Sequence, residues 1–540
     1  MDSLHEDYTE KQLELLKKYV SNTSGRVFVL YNLPEVVKGA LFSKYSRSTK
    51  GLRPLLLKDF IENEELSLKS ENNAKNAFEA SVKKAQNFYD RVLDGYGDDS
   101  IGELGGAHLA IEGLSMLAAK VVEDSRIGGS PLEKSTRYIC FDQKIRGEYF
   151  YCREPILMTS AYREDYLQTC DMLFDTYKEL IPPLTESVQQ KFPKEENVSK
   201  EVYRTSIRTK VLDCLRGLLP ASTKTNVGIY GNGRFFQTLL HKMNAHNLTE
   251  MRDFGHEAFH ELEKVVPSFV RRANVNHRHH QSYTNFMESM QEELKLVSEQ
   301  YSNFTEKSQT SQPVRLIDYD EKALTKVAAA LMFSYCDKTL ASLEEHCDKL
   351  GGEDVARILE SACNARENRR HKPPRGLERA SYTFELKADF GVYRDLQRHR
   401  MLTQERQLLT CNYGYYIPEE ILGTSMEEKY CLAMDMAQKT YNTIVSEFPE
   451  EAQYVVPMAY NMRWYFDLNL RSLEWLCELR SSAAGHPNYR KIAQEMAKQV
   501  IAVHPEFECF LKFVDYDGYD LGRLGQEQVS ESKKDKPEVT

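Results

Sequence analysis

Arg398-His399-Arg400 is the group of residues in this chain best suited to binding chemistry. Two guanidiniums flank an imidazole, and each guanidinium is permanently charged and offers a forked set of donors. Such a group suits a planar anion, and a flavin ring and a nucleotide phosphate are both ligands of this kind. Glu378 stands twenty residues before the triplet, and Asn469-Leu470-Arg471-Ser472-Leu473 supplies another arginine downstream. The sequence therefore predicts an anion site assembled from several separate elements.

Length and composition limit the possible functions. A chain of 540 residues exceeds what one hydrophobic core usually fills, so we expect two domains. With 28% charged residues and a net charge of −10, the surface would repel nucleic acid, and we expect no such partner. No stretch approaches the roughly 18 apolar residues of a membrane span, and Met1–Glu10 is polar and acidic, unlike a signal peptide. We predict a cytoplasmic protein with no membrane partner.

The eleven cysteines are scattered along the chain and form no Cys-x-x-Cys pair. This pattern is typical of reduced thiols and argues against a zinc ribbon or a disulfide framework.

Three landmarks recur in the same order in the two halves of the chain and indicate a tandem duplication. Pro220 stands fourteen residues before Arg234, and Pro457 stands fourteen residues before Arg471. The other two pairs are Ala40–Ser43 with Leu331–Ser334, and Ser100–Glu103 with Arg375–Glu378.

Composition divides the chain at a polar segment, residues 302–313, which reads as a linker. We therefore predict a first repeat over residues 1–301 and a second over residues 314–524. The charged residues 525–540 have nothing to bury and are predicted to be disordered.

Periodicity predicts a helix-rich α+β fold. Apolar residues recur every three or four positions in Phe286–Tyr301, Leu324–Leu350 and Arg490–Ile501. Aromatic and β-branched residues predict strands at Arg137–Phe141 and Tyr382–Leu386.

The second half resembles the signature of the flavin-dependent thymidylate synthases. Glu378 matches that family's acidic residue, Tyr382-Thr383-Phe384 matches its aromatic-Thr-Phe strand, and Arg398-His399-Arg400 matches its arginine-histidine-arginine triplet. Asn469–Leu473 matches the family's second arginine motif. Arg379 departs from the pattern, since the family usually has histidine there. The resemblance implies two tandem copies of the family fold, each with a central antiparallel sheet and long helices.

The resemblance also implies roles for individual residues. It makes Arg398, His399 and Arg400 catalytic and flavin-binding, with Glu378 and Asn469 as further flavin neighbours. It makes Arg471 a ligand of the substrate nucleotide, and Arg234 is the weaker equivalent in the first half.

The two halves have lost different parts of the family's nucleotide loop and triplet. In the second half Thr403 keeps a hydroxyl, but Leu408 and Thr410 stand where the nucleotide-binding serine and arginine belong, and Asp395 replaces a glutamine. A leucine side chain cannot form a hydrogen bond, so this loop cannot hold a nucleotide in the family manner.

The first half shows the opposite loss. It keeps the acidic residue, serine and arginine of the loop as Glu133, Ser135 and Arg137, with Ser130 at the hydroxyl position, while its triplet has become Ser125-Arg126-Ile127. Complementary loss is expected of a fused pair that keeps hybrid sites, because different protomers of the family's tetramer supply the triplet and the loop.

The activity implied by the resemblance is reductive methylation of deoxyuridine monophosphate (dUMP) to thymidylate (dTMP). FAD would be the cofactor, and methylenetetrahydrofolate and NADPH would be co-substrates. A homodimer of the fused chain would rebuild the family's tetramer.

Two other functions remain open at this point. Arg379, Leu408, Thr410 and Asp395 favour a non-catalytic or repurposed descendant that still binds a flavin or a nucleotide. A helical metal enzyme would instead use His256 and His260, which have the spacing of a metalloprotease helix, with His277 nearby. The basic run Arg366–Lys372 is either an exposed helix end or an attractor of phosphates.

Overall fold

The computed structural model describes residues 8–46, 48–58, 102–304 and 312–534, and these form two compact units. The first contains the described residues up to 114, residues 118–133 and residues 225–304. The second contains residues 115–117, 134–224 and 312–534. These units are divided differently from the predicted repeats, because residues 134–224 pack with the second half of the chain. The repeat boundaries stay a prediction, and residues 305–311 of the predicted linker lie outside the described residues.

The first unit is built on a three-stranded sheet in the order β1-β3-β2, with β2 antiparallel to β3. Its strands are β1 (Gly106–Ser115), β2 (Gly129–Glu133) and β3 (Lys224–Asn232). Its helices are α1 (Glu10–Leu16), α2 (Glu35–Tyr45), α3 (Leu52–Leu56), α4 (Met116–Glu123), α8 (Gly233–Asn244), α9 (Thr249–Val265), α10 (Pro267–Val270) and α11 (Arg278–Tyr301).

The second unit is built on a four-stranded antiparallel sheet in the order β4-β5-β7-β6. Its strands are β4 (Val314–Tyr319), β5 (Ser381–Asp389), β6 (Thr403–Arg406) and β7 (Asn461–Asn469). Its helices are α5 (Pro155–Thr159), α6 (Arg163–Lys191), α7 (Lys200–Leu215), α12 (Ala323–Phe333), α13 (Leu340–Cys347), α14 (Gly352–Ser361), α15 (Phe390–Leu396), α16 (Glu427–Ile444), α17 (Leu470–Arg480), α18 (Pro487–Val503) and α19 (Leu524–Lys534).

The helix-rich α+β class is therefore confirmed, and the two sheets follow the same plan. Strands β3 and β7 each end in an asparagine that caps the next helix: Asn232 Oδ1 accepts from Phe235 N at 2.8 Å, and Asn469 Oδ1 accepts from Ser472 N at 2.9 Å. Ser130 of β2 pairs with the residue two positions before the first cap, and Thr403 of β6 with the residue two positions before the second. The register thus makes Ser130 and Thr403 equivalent.

The two proline landmarks meet within the second unit, where Pro220 and Pro457 face each other in an antiparallel bridge. Proline has no backbone donor, so neighbouring residues make the hydrogen bonds. Ala221 N donates to Val456 O at 2.8 Å, and Met458 N donates to Leu219 O at 2.9 Å. This exchange is reciprocal, as expected of equivalent segments related by a local two-fold.

Three predicted elements are confirmed, and two are wrong. Tyr382–Leu386 lies in β5, Arg490–Ile501 lies in α18, and Phe286–Tyr301 lies in α11. Arg137–Phe141 is not a strand, because the backbone turns at residues 136–138, and Tyr138 N and Ile139 N both donate to Ser135 O. The periodic stretch 324–350 is two helices, α12 and α13, because Thr339 caps a new helix at Ser342 N.

The predicted disordered tail is also corrected. Leu524–Lys534 forms α19, which packs against α7. Glu531 accepts a 2.6 Å hydrogen bond from Ser199, the N-cap residue of α7, and Glu527 pairs with Arg523 at 3.2 Å. The charged composition suggested no partner, but Ser199 lies 332 residues before Glu531 in the sequence. Residues 535–540 lie outside the described residues.

None of the helices in the described ranges is both long enough and apolar enough to cross a membrane.

Gly217 lies at the crossing of the two proline segments, and Ala459 N donates to its carbonyl at 2.9 Å. An added Cβ would lie 2.6 Å from Tyr430 Oη and 3.0 Å from Ala459 Cβ. We expect Gly217→Ala to lower the free energy of unfolding by about 1–3 kcal/mol, the usual cost of overpacking, measured by urea denaturation. The control is Gly352→Ala on α14, where an added Cβ meets nothing within 4 Å. Equal stability of the two variants would contradict a tight crossing.

Candidate functional site

The Arg-His-Arg triplet lies just beyond the C-terminal end of α15, which follows β5 directly. Asp389, the last residue of β5, caps this helix, since its Oδ1 accepts from Val392 N at 2.9 Å. The helix has only seven residues, so the chain leaves it at the triplet. Arg398 and Arg400 are exposed, whereas His399 is half-buried.

His399 is held by an arginine that the sequence analysis did not single out. Arg480 Nε donates to His399 Nε2 at 2.9 Å, so the proton of the neutral ring is on Nδ1. Burial, followed by the positive charge of Arg480, lowers the pKa of His399 well below its usual range. The imidazole is therefore neutral at pH 7.

Asp395 lies one turn before the triplet and forms an ion pair with Arg216, whose Nη1 is 3.2 Å from Asp395 Oδ2. Burial raises the pKa of Asp395, but the charges of Arg216, then Arg398, outweigh that effect and lower it below its usual range. Arg216 is only 4% exposed. Asp395 is therefore a buried carboxylate that helps to neutralise the surrounding arginines.

Arg137, from the predicted nucleotide loop, is buried in a bidentate ion pair. Its Nε and Nη2 each donate to a different carboxylate oxygen of Asp213 at 2.7 Å. Its Nη1 donates to Tyr489 Oη at 3.3 Å and to Ala484 O at 3.2 Å. Burial raises the pKa of Asp213, but the charge of Arg137 outweighs it, and the pKa is lowered. Both groups are therefore ionised.

Tyr489 links the loop arginine to the triplet. The guanidinium carbon of Arg137 is 5.9 Å from the centre of the Tyr489 ring, and that of Arg480 is 5.7 Å from it. Arg480 in turn holds His399. We call Arg137, Asp213, Tyr489, Arg480 and His399 the arginine-tyrosine cluster. It lies within the second unit and combines residues from both halves of the sequence.

The predicted flavin neighbour Glu378 and the predicted nucleotide ligand Arg471 form an ion pair with each other. Arg471 Nη1 is 2.8 Å from Glu378 Oε1, and Arg471 Nε donates to Pro373 O at 3.0 Å. Burial raises the pKa of Glu378, but Arg471 and Arg375 outweigh it, so the pKa is lowered. In the first unit Arg234 Nη1 is likewise 2.8 Å from Glu103 Oε1. The equivalence of the two arginine motifs thus extends to their partners.

The other predicted site residues have local roles in the structure. Ser135 Oγ accepts from Arg137 N at 3.2 Å, which tightens the loop, and Asn469 caps α17. Glu133 lies in the first unit, where its buried carboxylate is 2.8 Å from Lys120 Nζ. The structure therefore brings Arg137 together with His399 in one cluster and Glu378 with Arg471 in one pair, whereas Glu133 and Arg234 belong to the first unit.

The histidines of the metalloprotease-like spacing, His256 and His260, are exposed on α9. Within the described residues there is no group of three or more His, Cys, Asp or Glu placed to hold a metal ion.

The first residue of the basic run, Arg366, is buried against two carboxylates. Its Nη2 lies 2.5 Å from Glu478 Oε2 and also contacts Glu474. Burial and the adjacent Glu478 raise the pKa of Glu474 to about 9. Arg366 is therefore not an exposed attractor of phosphates.

Asp213, Arg480, Tyr489 and Arg216 were missed from the sequence. The only local signal is at Asp213, which interrupts an apolar run, Val211-Leu212-Asp213-Cys214-Leu215. A charged residue on the buried face of a helix needs a buried partner.

The family model described as "Thymidylate synthase complementing protein" matches residues 58–268 and 315–506. The chain belongs to the flavin-dependent thymidylate synthase family. The two matched segments fit the tandem arrangement predicted from the sequence landmarks.

Two of the similar proteins match along nearly the whole chain, and a third matches about a third of it. A UPF0159 protein of Chlamydia muridarum is 56% identical over 521 residues, which cover 96% of this chain and 98% of the relative. A UPF0159 protein of Thermoplasma acidophilum is 33% identical and covers 91% of this chain and 97% of the relative. A flavin-dependent thymidylate synthase of Clostridium tetani is 27% identical over 219 residues, 36% of this chain and 83% of the relative. That single-copy length agrees with a duplication.

Among solved structures, the UMP/dUMP methylase PolB of Streptomyces cacaoi, bound with 5-Br dUMP, is similar at 20% sequence identity. It covers 37% of this chain and 95% of its own, with a TM-score of 0.29.

The family implies a flavin cofactor, and the residues near the triplet suit one. Arg398 and Arg400 are exposed cations beside a neutral imidazole. Two buried donors, Arg406 Nη1 and Trp464 Nε1, have no hydrogen-bond partner among the described residues. Both residues lie against Tyr393 of α15, at 5.5 and 5.3 Å from its ring centre. Unused donors suit the electron-rich heteroatoms of a flavin ring.

Asp213→Asn should leave the buried Arg137 without its carboxylate. We expect the free energy of unfolding at pH 7 to fall by about 3–5 kcal/mol, the usual cost of breaking a buried pair. The folded-state pKa of Asp213 is depressed, so its contribution is complete above the unfolded pKa, about 3.9, and is lost as pH falls through the folded pKa. Urea denaturation across pH should therefore show the two proteins converging below about pH 4.

The control for this prediction is Glu419→Gln, which removes an exposed ion pair with Lys491 and should cost at most about 1 kcal/mol. A pH-independent difference between Asp213→Asn and the wild type would contradict an ionised Asp213.

Proposed function

We propose that this chain catalyses the reductive methylation of dUMP to dTMP, with methylenetetrahydrofolate as carbon donor, FAD as cofactor and NADPH as reductant. One observation carries the proposal: the loop arginine of the first sequence half and the triplet histidine of the second share the arginine-tyrosine cluster. The loop kept in one half and the triplet kept in the other are the two parts that one hybrid site would need.

The proposed active site is therefore hybrid. Arg398 and Arg400 contribute exposed donors for the flavin, and His399 contributes a neutral imidazole held by Arg480. Ser135 and Arg137 contribute the nucleotide loop from the first half.

The pair of Glu378 and Arg471, with Asn469 at the adjoining helix start, completes the proposed set on the second half. Glu133 and Arg234 are not part of this set, because each has its partner in the first unit.

The flavin, when bound, supplies hydride transfer, and the chain's own residues supply position and charge. Asp213 holds the Nε–Nη2 edge of Arg137 and leaves Nη1 toward Tyr489 and Ala484 O. A guanidinium fixed in this way loses little further freedom on binding an anion, which favours a preorganised site. No cysteine nucleophile is required for this chemistry.

A second candidate is a binding protein that retains a flavin or a nucleotide without catalysis. The bidentate engagement of Arg137 by Asp213 favours it, because a phosphate would have to compete with a carboxylate already in place. Arg379 favours it too, since it is paired with Glu344 at 2.7 Å rather than standing as the family's histidine.

The visible absorption spectrum of the purified protein separates these functions. We expect added FAD to bind, and dUMP to shift the flavin bands, because the proposed site places the nucleotide against the ring. Conversion of dUMP to dTMP with both co-substrates would establish the synthase, and a spectral shift without conversion would identify the binding descendant. No FAD binding at excess cofactor would refute the synthase, and absence of dUMP binding as well would refute the binding descendant.

Variants test whether the site is hybrid. Arg398→Ala and Arg137→Lys, from different sequence halves, should each weaken the dUMP-induced shift at least tenfold, since each removes or reshapes a charge-assisted donor. Lysine keeps a charge opposite Asp213, so the fold should survive. Arg357→Ala, at an exposed position on α14, is the matched control. Normal dUMP binding by Arg137→Lys would exclude the first-half loop from the site.

We propose further that the chain forms a homodimer, because four repeats would rebuild a four-copy assembly. Sedimentation equilibrium should give twice the chain mass of 62.5 kDa. A mass equal to one chain, in a preparation active with dUMP, would show that one fused pair is sufficient.

A further inference from the structure

A small polar cavity of about 30 Å³ lies beside Arg137 in the second unit. Its charged lining consists of four cations, Arg137, Lys210, Arg490 and Arg523, and two carboxylates, Asp213 and Asp520. A volume of this size holds roughly two water-sized atoms. It cannot contain a whole nucleotide, but it can receive two oxygens of an oxyanion.

Four separate elements converge on this cavity. Arg137 comes from the loop after β2, and Lys210 lies on α7 one turn after Ser206. Arg490 comes from α18, and Arg523 comes from the segment immediately before α19. The C-terminal segment therefore closes one side of the cavity, with Gly522 and Leu521 in its wall.

The cations have carboxylate partners, which sets a limit on the charge available. Lys210 Nζ is 2.6 Å from Glu420, Arg490 is 3.5 Å from Asp515, and Arg523 is 3.2 Å from Glu527. The cavity is thus not a bare cluster of positive charge, and attraction alone does not argue for a ligand.

Two unused polar atoms do argue for one. Ser206 is 3% exposed, and its Oγ has no hydrogen-bond partner among the described residues. The buried Nε of Arg523 also lacks a partner there. Buried polar groups are nearly always hydrogen-bonded, and leaving one unsatisfied is costly. Both residues line the same cavity, so one ligand could satisfy both.

The position of Arg523 points to an anion. Its guanidinium carbon lies 4.3 Å from the centre of the ring of Tyr138. Tyr138 follows Arg137 directly in the sequence. Burial, followed by the charge of Arg137, lowers the pKa of Arg523, while Glu527 opposes this effect. An anion between the two arginines would relieve that repulsion and accept hydrogen bonds from both.

We propose that this cavity receives two oxygens of the phosphate group of a phosphate monoester, and that Ser206 and Arg523 are phosphate ligands beside Arg137. The cavity itself carries the phosphate assignment. The identity of the monoester as the substrate nucleotide rests on the proposed function, and free phosphate is the other source of the same chemistry.

Calorimetric titration with inorganic phosphate, dUMP and deoxyuridine tests the proposal. Arg523→Gln should weaken binding of both phosphate and dUMP roughly 10- to 100-fold, the effect of losing a charge-assisted hydrogen bond. Ser206→Ala should weaken both by a smaller factor. Deoxyuridine binding should be unchanged in both variants, because deoxyuridine carries no phosphate.

Glu527→Gln is the matched control, since it removes the partner of Arg523 on α19 without changing a cavity residue. Phosphate binding should persist or tighten in this variant. If Arg523 only held the C-terminal helix in place, Glu527→Gln and Arg523→Gln would lower the melting temperature alike, and neither would change phosphate affinity.

The outcomes separate this inference from the proposed function. If phosphate binding depends on Arg523 but the protein binds neither FAD nor deoxyuridine, the result supports the phosphate site and identifies free phosphate as its ligand. Deoxyuridine could instead bind as tightly as dUMP and shift the flavin bands equally, with neither effect changed in Arg523→Gln. That result would overturn the cavity assignment and leave the proposed synthase function intact. Wild-type protein that binds neither phosphate nor dUMP would overturn it as well.

Discussion

The buried ion pair between Arg137 and Asp213 is the interaction on which the rest of the site depends. Its two hydrogen bonds of 2.7 Å fix the guanidinium plane, and this plane sets where Nη1 can reach. Burying two charges is costly unless the geometry is good and the remaining donors are satisfied. Here Nη1 donates to Tyr489 and Ala484 O. The loop is thereby tied to the segment before α18 and to the first turn of that helix, and it is part of the stretch of the first half, residues 134–224, that belongs to the second unit.

That connection explains how a fused chain could abandon parts of both copies. Tyr489 lies near Arg137 and Arg480, and Arg480 fixes the tautomer of His399. The loop and the triplet are therefore parts of one network. Loss of Arg137 would leave the buried charge of Asp213 uncompensated, and loss of His399 would leave Arg480 Nε without its acceptor. The same reasoning explains why a carboxylate, Asp395, stands near these arginines. A carboxylate at this position suits a network that contains Arg216 and Arg480, whereas a neutral glutamine would leave it more positive.

Local patterns were enough to predict the strand and the motifs but not the network. The aromatic and β-branched residues of Tyr382–Leu386 are a short-range signal, and the structure agrees with the predicted strand. Arg137–Phe141 has the composition of a strand, but its backbone forms a turn instead. The turn places Arg137 next to Asp213. That partner is 76 residues away, and such pairings leave no periodicity to read. The prediction of a disordered tail was wrong for the same reason, because Glu531 in the tail bonds to Ser199, the distant N-cap residue of α7.

The second copy shows what replaces a loop of this kind once it is abandoned. Arg216 stands four residues before Pro220, and Gln453 stands four residues before Pro457. Where Arg216 pairs with Asp395, Gln453 accepts from the backbone of Leu409, between the two altered loop positions Leu408 and Thr410, at 3.1 Å. Neutral amide contacts have thus taken the place of buried charges. By the same spacing, Glu450 stands seven residues before Pro457, where Asp213 stands seven residues before Pro220. The carboxylate position is therefore kept in the second copy, and Glu450 Oε2 accepts from Gln453 Nε2 at 3.3 Å. What the second loop lacks is the cation, because Thr410 stands where the loop arginine belongs and a threonine cannot form an ion pair with a carboxylate.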